Sequence, residues 1–303
     1  MTEIALLDGG LGQEINKRSP NDTHPLWSLM VMFDAPEVVT EVHSEFIEAG
    51  ARVICLNTYT ATPTRLKRHE CLERLEEAHD TAIRLAKSAI EKSGVPTGSV
   101  QVAGCLPPLV ASYVADVSKN YDDSVEEFRQ LVSLEKDHVD LFLVETMSSI
   151  GEASAAVDSV KESAKPVYVS LTLSDDSSNT LRSGERLEDA LSALLPRNPD
   201  GILLNCSIPE AITNAMPILA GSGARFGGYA NGFTSIDKLR PGGVVDVLEA
   251  RKDLTPEVYA EYVEQWIDMG ATIVGGCCEV GPSHIRHLAD KLAASGHTIT
   301  NLG

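Results

Sequence analysis

The chain has 303 residues, 43% of them apolar, with six cysteines and a formal net charge of −19. That length suits two average domains or one of the larger α/β barrels, and the apolar content supplies a substantial core. The negative charge repels nucleic acid and anionic membranes, so neither is expected as a partner. No run approaches the roughly 18 apolar residues that span a bilayer. The start, Met1-Thr2-Glu3-Ile4-Ala5-Leu6-Leu7-Asp8, has no basic region and too short an apolar stretch for a secretory signal. Six cysteines in so long a chain do not make a disulfide framework, and a reducing, cytoplasmic setting is expected.

In chain order, Ile4–Asp8 reads as a first buried strand. Pro36 opens a helical pattern over Glu37–Ala49, and Arg52–Asn57 is the second strand. A helix rich in Glu, Arg, Lys and Ala covers Leu72–Ser93. Val100–Cys105 is followed by a helix over Ser124–Lys136, Val139–Glu145 by Ile150–Ser163, Pro166–Leu171 by Leu187–Leu195, and Gly201–Cys206 by Pro209–Leu219. Arg225–Ala230 precedes a helix over Pro256–Met269, and Ala271–Gly276 precedes the last, Pro282–Ala294. Prolines 36, 209, 256 and 282 stand where first helical turns begin. Strand–helix alternation repeated eight times, with continuously apolar strands, predicts an α/β fold: one (β/α)8 TIM barrel domain over residues 1–303. An open doubly wound sheet is the alternative, weakened by the lack of a Gly-x-Gly-x-x-Gly turn after the first strand.

Polar residues collect at the predicted strand ends. Asp8, Asn57, Glu145 and Cys206 end strands, Asn231 follows the seventh, and Cys277 and Cys278 follow the eighth. In a barrel all of these lie on the catalytic rim. Three thiols at the ends of two buried strands suit a thiolate-bound zinc with one open position. Tetrahedral Zn–S geometry sets ligand sulfurs about 3.8 Å apart. Neighbouring strand residues point to opposite faces, so Cys277 and Cys278 share an ion only where the strand has stopped. Gly275 and Gly276 are expected to allow that change of direction through unusual backbone angles. The plainer reading is that these cysteines pack as small apolar residues. Cys55 reads as core and Cys71 as a helix residue, while Cys105 is a rival ligand. No lysine ends a strand, which argues against a Schiff-base enzyme.

The chain resembles the homocysteine S-methyltransferase family over nearly its whole length. The resemblance is carried by Leu7-Asp8-Gly9-Gly10-Leu11-Gly12, by Pro36–Asn57 with His43 and Ala49-Gly50-Ala51, and by Asn57-Thr58-Tyr59. Glu145-Thr146, Asn205-Cys206, Tyr229-Ala230-Asn231 and Gly270–Ile285 complete it. It implies a (β/α)8 barrel whose zinc is held by Cys206, Cys277 and Cys278, and transfer of a methyl group onto homocysteine to give methionine. One stretch departs: where the family often shows Gly-Ser-(Ile/Val)-Gly-Pro-Tyr-Gly, this chain has Ala103-Gly104-Cys105-Leu106-Pro107-Pro108-Leu109. Folate and cobalamin modules have no room here, so a direct donor is implied: S-methylmethionine first, with betaine or S-adenosylmethionine as alternatives.

This chemistry assigns roles. Zinc deprotonates the acceptor thiol on binding, so no further general base is expected. Asp8 and Glu145 are candidate partners of the substrate ammonium, with Gly9 and Gly10 as amide donors to its carboxylate and Asn57 and Asn231 alongside. A sulfonium or quaternary ammonium donor favours aromatic faces. Trp27, Tyr59 and Tyr113 are the leading candidates, with Phe33, Tyr229 and Phe233 behind them. Selenocysteine or another small thiol is the alternative acceptor. A structural zinc in a binding module is the non-enzymatic alternative, favoured if a fourth ligand such as Cys105 joins the three.

Overall fold

The computed structural model describes residues 2–19, 21, 23–236, 238–239 and 247–303. In order, β1 (Glu3–Leu6) leads to α1 (Leu11–Lys17), α2 (Ser28–Asp34) and α3 (Pro36–Ala49), and β2 (Val53–Cys55) to α4 (Pro63–Arg68) and α5 (Leu75–Ser93). Next come β3 (Gln101–Leu106) and α6 (Tyr121–Glu135), β4 (Leu141–Met147) and α7 (Ile150–Val160), then β5 (Val167–Leu171) and α8 (Leu187–Leu194). The chain closes with β6 (Gly201–Asn205) and α9 (Pro209–Ala220), β7 (Phe226–Tyr229) and α10 (Pro256–Asp268), β8 (Ile273–Val274) and α11 (Pro282–Ala294), and β9 (Thr298–Thr300).

Prolines 36, 63, 209, 256 and 282 occupy first helical turns, where a missing N–H costs nothing. Thr62, Asn120, Ser149 and Thr255 cap their helices with side-chain oxygens. No helix among the described residues is long and apolar enough to cross a membrane.

The strands form one nine-stranded parallel sheet in the order β2-β3-β4-β5-β6-β7-β8-β1-β9. The free edge of β1 is shared between two neighbours. Its first half pairs with β9, Glu3 against Thr298 through Ala5 against Thr300. Just beyond its other end, Leu7 bridges Val53 of β2, Asp8 N–H donates to the Val53 carbonyl at 2.9 Å, and Arg52 N–H donates to the Leu6 carbonyl at 2.8 Å.

Alternation along each strand sorts the core into two layers. Ala5, Val53, Cys55, Ala103, Cys105, Leu141, Leu143, Tyr168, Leu203, Tyr229 and Ile273 meet in one cluster on the inner face. Their neighbours Ile4, Leu6, Ile54, Val102, Phe142, Val144, Val169, Ile202 and Leu204 turn outward under the helices. Leu302 plugs the inner cluster from the N-terminal end of the strands. Its carbonyl accepts hydrogen bonds from Tyr168 Oη at 3.1 Å and Arg225 Nη1 at 2.9 Å.

The sequence reading expects eight strands, and all eight are present. β9 is an addition that its short polar run gave no reason to expect. α1, α2 and α4, which the reading leaves unassigned, are short helices of six or seven residues.

Where β7 meets β8, a Cβ built on Gly227 would overlap the Ile273 carbonyl. Overpacking of this kind costs about 1–3 kcal/mol and occasionally more. Gly227→Ala should lower stability by about 3 kcal/mol in urea denaturation. A loss well under 1 kcal/mol would show that the two strands move apart freely.

Candidate metal and substrate site

Because every strand pair is parallel, the residues after the strand C-termini share one rim. There they line a cleft that includes Asp8, Gly9, Gly10, Trp27, Cys55, Asn57, Tyr59, Cys105, Tyr113, Glu145, Cys206, Tyr229, Cys277 and Cys278. Among the described residues no lysine, arginine or histidine lines it. Among the described residues the cleft thus holds two carboxyls and five cysteines with no basic partner.

Cys206 leaves β6 in the left-handed region at φ 49°, its N–H donating to the Tyr229 carbonyl at 3.2 Å. Asn231 sits behind it: its Nδ2 donates to the Cys206 carbonyl at 2.8 Å, and its Oδ1 accepts from Phe233 N–H at 3.1 Å. Asn231 does not line the cleft. It holds the turn that aims Cys206.

After the two-residue β8, Cys277 N–H donates to the Ala230 carbonyl at 2.9 Å and the Cys278 carbonyl accepts from Gly232 N–H at 2.8 Å. Gly275 and Gly276 are not in the positive-φ region, contrary to the expectation that they supply unusual angles. They are glycines because of crowding: a Cβ on Gly275 would lie 2.6 Å from that of Leu7, and one on Gly276 would overlap Val280. The result brings the sulfurs of Cys206, Cys277 and Cys278 within 4.8 Å of one another. Cys206 and Cys277 form a disulfide across the two strands, with Cα atoms 5.7 Å apart. The sequence reading expects no disulfide framework, and among the described residues this is a single pairing, with Cys55, Cys71, Cys105 and Cys278 free.

Burial pushes the Cys278 thiol up to about 12, and the Glu279 charge adds to the effect. Such a thiol stays protonated at neutral pH unless a cation draws off its proton. Reduced, the three sulfurs fit a thiophilic metal ion by spacing and chemistry. Among the described residues no fourth Cys, His, Asp or Glu joins this group. Cys105, the rival ligand, groups instead with Cys55 and Glu145.

Glu145 sits where the pairing of β4 with β5 shifts register between Val144 and Met147, and Thr146 follows at φ 60°. A bulge of this kind re-aims a side chain. Thr146 N–H donates to Asn205 Oδ1 at 2.9 Å, and Asn205 Nδ2 returns a bond to Thr146 Oγ1 at 3.0 Å. Tyr229 Oη donates to Glu145 Oε1 at 3.0 Å. Asp8 accepts Cys55 N–H on Oδ2 at 2.9 Å. Desolvation raises the pKa of both carboxyls, and the Glu145 charge raises Asp8 further.

The remaining predicted residues divide. Tyr59 and Tyr113 line the cleft, Tyr59 Oη sharing a 2.9 Å hydrogen bond with Ser112 Oγ and Tyr113 lying 5.1 Å under the Arg182 guanidinium. Trp27 lines it too, at φ 51°. Asn57 faces the cleft but is engaged with Ser28 Oγ at 2.6 Å and with the Ser28 carbonyl at 3.1 Å, fixing the start of α2 beside Trp27. Gly10 N–H is taken by the Val280 carbonyl at 2.9 Å. Phe33 lies outside the cleft, stacked 3.4 Å beneath Arg74, and Phe233 is buried in a small cluster with Ile236 against Trp27, Tyr113 and Cys278. Sequence reasoning missed Cys55 as a cleft residue and Asn205 and Arg182 as supports, while Cys105, expected at a strand end as a rival ligand, does line the cleft.

The model of the homocysteine S-methyltransferase family matches residues 5–292. The chain belongs to the homocysteine S-methyltransferase family. The homocysteine S-methyltransferase of Escherichia coli (strain K12) is 30% identical, over 94% of this chain and 94% of that one. The selenocysteine methyltransferase of Astragalus bisulcatus is 26% identical, over 98% of this chain and 94% of that one. Among solved structures, the metallated form of the Escherichia coli homocysteine methyltransferase MmuM superposes with a TM-score of 0.79 at 25% identity, covering 95% of this chain and 96% of that one.

The two carboxyls give this family member a pH signature. Their ordinary values are 3.8 for Asp8 and 4.5 for Glu145, and both are raised in the fold. Below those ordinary values neither group costs anything. As pH rises from there through the raised values, the unfolded chain has already ionised while the fold has not, and stability falls. Glu145→Gln should flatten that decline and make the ligand-free protein more stable at alkaline pH. The expected outcome is a shallower loss of stability with rising pH than in the parent. Urea midpoints across the pH range test this. A variant weaker than the parent at every pH would show that the hydrogen bonds to Glu145 outweigh its desolvation.

Proposed function

We propose that the protein is an enzyme that transfers a methyl group from a small cationic donor to the thiol of L-homocysteine, giving methionine. The observation that carries the reading is a cleft with one buried and one half-buried carboxyl, three clustered sulfurs and, among the described residues, no basic side chain. Such a cleft favours an ammonium, a sulfonium and a thiophilic ion over any anion. Cys206, Cys277 and Cys278 are the proposed metal ligands, and zinc is the proposed ion. When bound, zinc supplies a Lewis acid that lowers the acceptor thiol's pKa.

The protein's own residues do the rest. Asp8 and Glu145 receive the acceptor ammonium, their raised pKa values falling as the cation arrives. Trp27, Tyr59 and Tyr113 present ring faces to the donor cation. In the transfer the donor's bond to its methyl carbon breaks, with the electron pair left on the donor, and a new carbon–sulfur bond forms to the acceptor. The acceptor's thiol proton leaves to solvent on binding. S-methylmethionine is the proposed donor, betaine the alternative.

We also read residues 1–303 as a single (β/α)8 barrel domain. The hydrogen bonds of Asp8 and Arg52 across β1 and β2, and an inner cluster drawn from all eight strands, support a closed barrel.

Reduced, zinc-loaded protein with homocysteine should yield methionine from S-methylmethionine, betaine or S-adenosylmethionine offered singly, fastest from the first. Methionine only on addition of a methyl-folate or methyl-cobalamin protein would overturn the direct-donor reading. Cys206→Ser, Cys277→Ser and Cys278→Ser should each lose zinc by elemental analysis and lose methionine formation. Full turnover in any of them would exclude the metal role. Trp27→Leu should raise KM for the donor about 2- to 30-fold, the range of one cation–π contact, with KM for homocysteine unchanged.

A further inference from the structure

Two further thiols line the cleft and have no part in the proposed reaction, and both stand beside a carboxyl. Cys55 from β2, Cys105 from β3 and Glu145 from β4 lie on three adjacent strands, and their ligand atoms are within 4.8 Å of one another. Cys105 Sγ is 3.3 Å and Cys55 Sγ 3.6 Å from Glu145 Oε2. Around a tetrahedral ion with metal–sulfur bonds of about 2.3 Å and metal–oxygen bonds of about 2.0 Å, the S···O edge is about 3.5 Å. Both distances match that edge. The thiols are buried at 8% and 1% relative exposure, and among the described residues the cleft they line contains no basic side chain to compete for Glu145.

We propose that Cys55, Cys105 and Glu145 form a second metal site, for a soft divalent ion such as zinc or cadmium, distinct from the Cys206–Cys277–Cys278 cluster. Two thiolates and one carboxylate select such an ion over magnesium or calcium. Without metal, the same atoms form two S–H···O hydrogen bonds. Metal binding replaces the two thiol protons with one divalent cation and releases both protons to solvent. Glu145 is common to this site and to the acceptor ammonium, so bound metal and bound amino acid exclude each other. That exclusion, unlike the site itself, rests on the acceptor role proposed above for Glu145. The site makes excess soft metal an inhibitor that competes with the amino acid.

The test is a cadmium titration of the full-length protein, metal-stripped and kept reduced by a phosphine, followed by thiolate-to-cadmium charge-transfer absorption. Two saturable equivalents are expected. Cys55→Ser/Cys105→Ser, with its fold checked by circular dichroism, should keep the first and lose the second. Glu145→Gln, which leaves both thiols in place, should weaken only the second. Homoserine, which carries the acceptor's ammonium and carboxylate without its thiol, should raise the half-saturating cadmium for the second equivalent about tenfold and leave the first unmoved. A single equivalent in the parent, or a second that survives in the double variant, would overturn the site. A second equivalent that both variants weaken but homoserine does not would uphold the site and overturn the acceptor role of Glu145.

Discussion

The parallel direction of every strand pair is the constraint on which the site depends. Parallel strands end at one rim, so residues nearly 270 positions apart in sequence, Asp8 and Cys277, arrive at one cleft. The hydrogen bond from Gly276 N–H to the Asp8 carbonyl at 2.9 Å ties the carboxylate arm to the cysteine arm directly. Crowding there is severe enough that Gly9, Gly10, Gly275 and Gly276 have no room for a side chain. Those glycines permit backbone to approach backbone, and that approach sets the spacing of the sulfurs.

Rigid strands also carry the strain. Trp27, Tyr113, Thr146 and Cys206 line the cleft with positive φ, and Glu279 follows directly after it. Each such residue costs on the order of 1–3 kcal/mol, and strain of this kind collects at functional sites. Here the surroundings that hold it are visible: the paired Thr146–Asn205 side chains brace β4 against β6, and Asn231 braces the Cys206 turn.

Much of this was legible in the chain. Eight apolar runs between amphipathic stretches gave the strands, and polar residues at the ends of those runs gave Asp8, Glu145 and the three cysteines. Cys55 was not legible, and Cys105 only as a strand-end thiol, because β2 and β3 are buried on both faces. With apolar residues on either side, alternation gives no sign of which ones turn inward. Counting back by twos from Glu145 through Leu143 to Leu141 identifies the inward parity of β4, but nothing in Val102-Ala103-Gly104-Cys105 marks it for β3. Asn57 and Asn231 were visible as strand-end amides, and the sequence could not tell a ligand's partner from a brace. β9 was hidden by its length, since three residues against β1 carry too little pattern to read.

That no basic side chain among the described residues lines the cleft bears on turnover. A sulfonium or quaternary ammonium enters with one positive charge more than it leaves with, because the methyl carries the charge away. Ring faces that attract the donor therefore lose their hold on it at the moment of transfer. On the proposed reading, release of the spent donor is built into the electrostatics of the wall, and no moving lid has to expel it.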